Sequence, residues 1–125
     1  MRLSLETRVT EDLTVICCKG RIAYGIEAAS LSGEIAGLES QTRRVVIDLS
    51  GVEMIDAAGL GALISVALRA QASQWSVKLA APSILIRQLL ELTKLISVFE
   101  VHPTLGAATV ASRGQAASPT RLASR

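Results

Sequence analysis

Aromatic residues and histidine are both scarce in this sequence. Its 125 residues include one tyrosine, one tryptophan and one phenylalanine, which is too few rings for a surface that stacks successive nucleic-acid bases. His102 is the only histidine, so a Ser-His-Asp triad or a multi-histidine metal site would have to be built around it alone. The sequence therefore argues against most hydrolytic and metal chemistry, and we predict neither a bound metal nor another cofactor.

An excess of charge of one sign is also missing. The formal net charge is +2, and Arg113, Arg121 and Arg125 lie in the last thirteen residues with no acidic residue among them. Subtracting these three arginines leaves a net charge of −1 for the rest of the chain. Because binding to nucleic acid relies on clustered positive charge, we predict no direct contact with DNA or RNA.

Long apolar segments and separated cysteines are absent as well. Residues 57–68 form the longest stretch near the middle without an ionisable group, well short of the roughly 20 residues that a membrane span needs. Cys17 and Cys18 are adjacent and on a strand would point to opposite faces, so they cannot share a metal or form a useful disulfide. The first thirteen residues mix both charges and do not resemble a signal peptide. We therefore predict a cytoplasmic protein with reduced thiols and no membrane span.

Hydrophobic periodicity predicts alternating strands and helices, which indicates an α/β fold. We expect a mixed, mostly parallel sheet of about four to five strands packed against about four α-helices. A turn at Glu11-Asp12 would join the first two strands, and Gly20 would end the second. Residues 1–111 would form one domain, and the small polar residues of 112–125 a flexible basic tail. Strands are predicted at residues 3–9, 13–19, 45–49, 75–80 and 97–101, and helices at 25–38, 57–68, 82–92 and 105–112.

The segment between residues 45 and 68 is the most informative. The aliphatic run 45–49 predicts a strand buried on both faces, and residues 50–55 read as a loop. Asp56 would cap the next helix, where unpaired N–H groups gather, and Gly59 and Gly61 would let a partner's backbone approach closely. The apolar stripes of two helices are predicted to be buried: Leu60, Leu63, Ile64, Ala67 and Leu68, then Leu85, Ile86, Leu89 and Leu90, with Pro82 as the first residue of the later helix.

Two short segments carry a resemblance to a known family. Residues 48–52 (DLSGV), followed by 55–61 (IDAAGLG), resemble the DLSGV…DSSGLG block of STAS-domain proteins, the bacterial anti-sigma factor antagonists. Residues 19–22 (KGRI) match more weakly a turn that in this family often reads G-[E/R]-[L/I]-D. The resemblance covers residues 3–111 and implies a STAS-like fold.

The resemblance also implies a regulator and not an enzyme. Members bind an anti-sigma factor, usually a serine kinase of the histidine-kinase-like ATPase superfamily, and thereby free the sigma factor. The kinase phosphorylates a serine at the start of the second helix, which breaks the complex. The implied partner-binding residues are Ser50, Gly51, Asp56, Ala57, Ala58, Gly59, Leu60 and Gly61.

The departures from the family pattern affect regulation. Ala58 stands where the phosphorylated serine is expected, and Ala23 where the turn aspartate is expected. A methyl group cannot accept a phosphoryl group, so the resemblance implies an antagonist that is always competent to bind, or a relative used as a scaffold. Ser50 and Ser65 are the nearby hydroxyls at which substitute phosphorylation is conceivable. Lys94 occupies a turn where the family commonly has glycine, which predicts a strained or altered turn.

Alternative functions remain open at this point. A stand-alone STAS subunit of a lipid-transfer ABC transporter would use the same surface to dock on an ATPase, and a stressosome-like scaffold would assemble into a large particle. A homodimer is also possible. A receiver domain with Asp48 as phosphoacceptor is disfavoured, because its Mg²⁺ would need an acid pair at the end of the first strand, and Glu11-Asp12 lies in the predicted hairpin turn.

Overall fold

The computed structural model of the chain describes residues 3–10, 13–37 and 43–113. The predicted turn at Glu11-Asp12 and residues 114–125 of the predicted tail lie outside these ranges. The strands are β1 (Ser4–Val9), β2 (Thr14–Ile22), β3 (Arg44–Ile55), β4 (Ser76–Ala80) and β5 (Glu100–His102). The helices are α1 (Tyr24–Ala36), α2 (Ala57–Ser73), α3 (Ile84–Leu92) and α4 (Leu105–Arg113), with a short 3₁₀ helix at Leu95–Ser97.

The strands form one mixed sheet in the order β1-β2-β3-β4-β5. β1 pairs with β2 antiparallel, whereas β2, β3, β4 and β5 pair parallel to their neighbours. The predicted α/β fold with a mostly parallel sheet is therefore confirmed. The order differs from the 2-1-3-4-5 order of flavodoxin-like receiver domains, so the receiver alternative is wrong.

The two faces of the sheet are covered unequally. Every parallel connection advances by one strand in the same direction, so right-handed crossovers place α1, α2 and α3 on one face, which we call the three-helix face. The main core lies there and includes Ile47, Leu63 and the fully buried Phe99. The opposite face, which we call the α4 face, has a smaller core in which Val46 and Ala108 pack together.

The long third strand is buried on both faces in its first half, as its aliphatic sequence predicts. Val45, Val46 and Ile47 are all 0% exposed. Val45 and Ile47 belong to the main core and Val46 to the smaller core under α4. The α4 helix thus explains why successive residues of β3 are apolar.

Two predicted strand ends are wrong. Gly20 does not end β2 but adopts a positive φ of 99° at a register irregularity, and the strand continues to Ile22. Residues 50–55 are not a loop, because Gly51, Val52 and Ile55 pair with this continuation of β2. Pairing between β2 and β3 extends both strands beyond their predicted ends. The sequence of either segment alone does not reveal this pairing.

The predicted buried stripe of α2 is partly wrong. Ile64 and Leu68 are 43% and 53% exposed, although Leu63 and Ala67 are buried as predicted. The helix turns its small residues toward the interior, because α1 packs beside α2 on the same face of the sheet. The buried residues of α2 are Gly59, Ala62, Leu63, Val66, Ala67 and Ala70.

Four predictions in the second half of the chain also need correction. Pro82 precedes α3, whose cap is Ser83; the Ser83 hydroxyl accepts a hydrogen bond from the Ile86 N–H at 3.2 Å. Leu85 is 67% exposed and does not belong to the buried stripe. Residues 97–101 are not one strand, since Leu95–Ser97 form the 3₁₀ helix and β5 starts at Glu100. Helix α4 runs two residues into the predicted tail, and its Ser112 is buried.

The start of α2 lies against the end of β2 with no room for a side chain between them. A Cβ on Gly59 would overlap the Ile22 carbonyl oxygen and lie 2.8 Å from Cγ2 of Ile55. A Cβ on Gly61, two residues further along the same helix, would meet nothing within 4 Å. The two glycines therefore have different roles, and only Gly59 is required by packing.

We expect Gly59→Ala to lower the free energy of unfolding by about 3 kcal/mol, because α2 must move away from β2. The matched control Gly61→Ala should raise it by about 0.5–1 kcal/mol, because alanine favours the helix and meets no neighbour. Urea denaturation of both variants measures the difference. Equal effects would contradict the close packing of α2 on β2.

The turn after α3 contains the strained residue that the sequence predicts at Lys94. Its backbone has φ 66° and ψ 10°, the left-handed region that glycine adopts without cost. We expect Lys94→Gly to raise the free energy of unfolding by about 0.5–1 kcal/mol. Lys94→Ala keeps the Cβ and should give no gain, so thermal or urea unfolding of the pair separates backbone strain from loss of the lysine side chain.

Candidate functional site

Helix α2 begins with the cap that the sequence predicts. Asp56 has extended backbone angles, and its Oδ1 accepts a hydrogen bond from the Gly59 N–H at 2.9 Å. The Asp56 carbonyl accepts the Leu60 N–H at 2.9 Å, which starts the helical hydrogen-bond pattern. The carboxylate satisfies one of the N–H groups that lack a partner within the helix and offsets the positive end of the helix dipole.

The residues after Asp56 differ in their exposure to solvent. Ala57, Ala58 and Gly61 are exposed, whereas Gly59 is buried and Leu60 is half-buried. Gly59 therefore serves the internal contact with Ile22 and does not admit a partner's backbone, which corrects the sequence-based prediction. We call Asp56, Ala57, Ala58 and Gly61 the helix-start surface.

Ala58 lies at the centre of this surface, two residues after the cap. Its methyl group faces solvent, so a larger or charged side chain would fit there without disturbing the core. An alanine side chain has no hydroxyl, and the ordinary chemistry of serine phosphorylation is therefore impossible at this position. Ala57 beside it is also an exposed alanine.

The structure brings the second motif segment next to the first. Ile22 pairs with Ile55 in the sheet, and the Ile22 carbonyl faces Gly59, so the end of β2 adjoins the start of α2. Ala23 follows as the N-cap residue of α1; it is fully buried and makes no side-chain cap. The position where the resemblance implies an aspartate thus contributes no carboxylate to this region.

Ser50 and Gly51 lie apart from the helix-start surface. Ser50 is exposed on the α4 face and lies five positions before Ile55 in β3, or about 16 Å away. Gly51 is needed for packing, since a Cβ there would lie 2.8 Å from Cγ of Lys19 and 2.9 Å from the Cys18 carbonyl oxygen. These two residues therefore do not form one continuous patch with Ala58.

A shallow cavity of about 250 Å³ lies on the α4 face beside Ser50. Asp48 lies at its wall, where its Oδ1 accepts a hydrogen bond from the Ser50 N–H at 3.0 Å. The other lining residues are Glu6, Arg8, Cys17, Cys18, Lys19, Gly51 and Leu105.

The thiols are poorly suited to nucleophilic chemistry. Burial and the Asp48 charge raise the pKa of the Cys18 thiol to about 12. Burial and Asp48 also raise the pKa of Cys17, and both cysteines are free. Protonated thiols are weak nucleophiles and weak metal ligands at neutral pH. Among the residues that the structure describes, no group of three His, Cys, Asp or Glu side chains could hold a metal ion.

His102 has a local partner on β5. Its Nε2 lies 3.2 Å from Oε1 of Glu100, which also accepts a hydrogen bond from Nζ of the buried Lys78 at 2.9 Å. Burial alone would raise the pKa of the Glu100 carboxyl, but the hydrogen bonds and positive charges of Lys78 and His102 lower it. This cluster links β5 to the neighbouring strand β4. In the sheet order, both strands lie on the other side of β3 from β2, whose end adjoins the start of α2.

Four exposed apolar or charged residues next to the helix-start surface were missed from sequence. Met54 is 42% exposed and Glu53 is exposed at the end of β3. Ile64 and Leu68 follow Leu60 at intervals of four residues along one side of α2. Their spacing is typical of a core stripe, so only the packing of α1 and the sheet reveals that this side is accessible.

Within the residues described here, every helix is too short or too polar to span a membrane.

Comparisons with known proteins agree with this architecture. Residues 4–108 match the sequence profile of the STAS domain. No curated protein is significantly similar to the chain in sequence. An anti-sigma factor antagonist from Mycobacterium paratuberculosis has a similar structure, with a TM-score of 0.79 and 25% identity over 89% of this chain and 94% of that one.

Two further similar structures share the fold at lower identity. SpoIIAA, an anti-sigma factor antagonist in its unphosphorylated form, has a TM-score of 0.69 and 17% identity over 90% of this chain and 99% of its own. SpoIIAA of Bacillus is also known in a phosphorylated form. A sulfate transporter family protein from Wolinella succinogenes has a TM-score of 0.73 and 18% identity, covering 81% of this chain and 84% of that one.

The sequence match spans most of the chain, and the five-stranded mixed sheet with four helices is the fold of these relatives. The chain belongs to the STAS domain family.

Proposed function

We propose that this protein is a cytoplasmic anti-sigma factor antagonist that binds a kinase-type anti-sigma factor and so frees a sigma factor for transcription. The observation that carries the proposal is the exposed Ala58 on the helix-start surface, at the position where the family resemblance implies a phosphorylated serine. The similarity to the antagonist from Mycobacterium paratuberculosis supports the same role.

The helix-start surface has the composition of a docking site and not of an active site. Asp56 is its one ionisable side chain and already caps α2. Exposed apolar side chains continue from it along α2, with Leu68 53% exposed and Ile64 43% exposed. Adjacent exposed apolar side chains commonly mark protein–protein contacts, and a binding function needs no nucleophile.

In our proposal, phosphorylation does not regulate partner binding at this surface. A phosphoserine adds about −1.5 to −2 charges, which would repel the Asp56 carboxylate and disrupt a packed interface. Ala58 provides no such switch, so the protein stays competent to bind whatever the activity of its partner kinase. The amount of complex would then depend on the concentrations of the two proteins.

The first test is affinity capture from the native cell followed by mass spectrometry. Wild-type bait should recover a kinase-type anti-sigma factor, and Ala58→Asp bait should lose it, because a negative charge enters the interface beside Asp56. We expect the affinity of the isolated pair to fall at least about tenfold, or about 1.4 kcal/mol.

Ala72→Asp is the matched control for the charge. Ala72 is also an exposed alanine of α2, about 21 Å along the helix from Ala58, so its charge should leave binding unchanged. Equal recovery of the kinase by the Ala58→Asp and wild-type baits would show that the partner binds elsewhere.

The second test restores the missing hydroxyl. Incubation with the captured kinase and ATP should leave the wild type unmodified and add one phosphoryl group to Ala58→Ser, as measured by intact mass. Ala57→Ser and Ala72→Ser should remain unmodified, which checks that the second residue of α2 is the acceptor position. Phosphorylation of the wild type at any serine would contradict a constitutively binding antagonist.

A transport role is the second candidate, supported by the similar fold of the sulfate transporter family protein from Wolinella succinogenes. In that case the same capture should recover a transporter ATPase together with membrane proteins, and no anti-sigma factor. That outcome would replace the antagonist proposal with a STAS subunit of a transport complex.

A further inference from the structure

Strand β1 forms one edge of the sheet, and no other strand pairs with its outer side in the part of the chain that the structure describes. It is six residues long, and Val9 near its end is 54% exposed. Unpaired edges of this length readily accept another strand. An edge that carries complementary charges can select which strand it accepts.

The hairpin shows which backbone groups of β1 face outward. The Thr10 N–H donates to the Leu13 carbonyl at 2.9 Å, so Thr10 and Leu13 form a hydrogen-bonded pair. Bonding alternates along an antiparallel pair, and Arg8 and Glu6 therefore also exchange hydrogen bonds with β2. The N–H and C=O groups of Leu5, Thr7 and Val9 are then directed to the outer edge.

The side chains of β1 also alternate from residue to residue, between the two faces of the sheet. Leu5 packs on the core of the three-helix face, whereas Glu6 and Arg8 lie on the α4 face. Glu6 and Arg8 form an ion pair at 3.6 Å, and their side chains are 65% and 63% exposed. One strand thus presents a negative and a positive side chain on the same face, two residues apart.

We propose that two copies of this protein form a symmetric dimer by antiparallel pairing of their β1 strands about an axis through Thr7. In this register Leu5, Thr7 and Val9 pair with Val9, Thr7 and Leu5 of the second copy through their outward backbone groups. Glu6 then stands opposite Arg8 of the second copy, twice by symmetry, at non-hydrogen-bonded positions where Cα atoms lie about 4.5 Å apart.

The charge pattern selects this register over its neighbours. Moving the axis to Glu6 would place the two Glu6 carboxylates opposite each other, and moving it to Arg8 would do the same to the two guanidinium groups. Directly opposed like charges destabilise a strand pair, whereas opposed unlike charges stabilise it. Thr7 is therefore the favoured centre.

The dimer would join two five-stranded sheets into one continuous sheet. Since the two β1 strands run antiparallel, the helix-start surfaces would lie at opposite ends of the joined sheet and remain accessible. The inference does not depend on the proposed function, because β1 contributes nothing to that surface.

One contact opposes association. The Thr7 hydroxyl donates a hydrogen bond to the Glu34 carboxylate of α1 at 2.6 Å, so a Glu34 carboxylate from each copy approaches the axis.

Sedimentation equilibrium of the full chain tests the proposal over a concentration range of about 5 to 500 μM, because a single strand pair buries little area and dissociates readily. The wild type should show a concentration-dependent dimer. Glu6→Arg alone and Arg8→Glu alone should each raise the dissociation constant at least about tenfold, since each places like charges opposite one another.

An equimolar mixture of Glu6→Arg and Arg8→Glu is the decisive sample. In the mixed dimer each positive side chain faces a negative one across the axis, although neither chain regains its own Glu6–Arg8 pair. The mixture should therefore dimerise where each variant alone does not. Glu91→Arg, an equal charge change on exposed α3, should leave the dissociation constant unchanged within about threefold.

Glu34→Gln should lower the dissociation constant, because it removes the like charges near the axis; a constant that stays the same or rises would show that Thr7 is not the centre. Thermal unfolding of every variant checks that the monomer remains folded. A wild type that stays monomeric at the highest concentration, or a mixture that stays monomeric while the wild type dimerises, would overturn the proposal.

Discussion

The contact between Gly59 and the Ile22 carbonyl determines the position of helix α2 and of its exposed first turn. Because no side chain separates them, the first turn of α2 rests directly on the end of β2. This contact sets the helix so that Ala57, Ala58 and Gly61 face outward, while Leu63 and Val66 enter the core. Displacement of α2 would move the candidate partner surface and the core together.

Neighbouring residues in the same region differ in how strongly the fold depends on them. Asp56 caps α2 and Gly59 allows the close packing, so both are required by the fold. The fold does not require alanine at Ala58, since its exposed methyl group could be exchanged for a polar or charged group. The fold therefore places no requirement on the side chain at Ala58, in contrast to the residues at Asp56 and Gly59.

The unequal cover of the sheet explains the remaining surface features. Three helices on one face bury the aliphatic side chains of β2, β3 and β4, whereas α4 alone covers part of the other face. Asp48, Ser50 and Cys17 consequently line a shallow cavity. With every crossover advancing in one direction, β1 and β5 remain at the edges, and β1 is the longer of the two.

The sequence by itself determined the α/β fold, the strand at 45–49, the Asp56 cap and the absence of a hydroxyl at Ala58, because these depend on local periodicity, local hydrogen bonding or residue identity. The family resemblance, and not a local pattern, implied the unusual turn at Lys94, which has a positive φ. Only the tertiary structure decided the full length of β3, the accessible side of α2 and the internal role of Gly59. Strand ends depend on a partner strand, and an apolar helix side is buried only if another element covers it. Whether a glycine serves an internal contact or a partner likewise depends on what lies within a few ångströms of it, which no local pattern records.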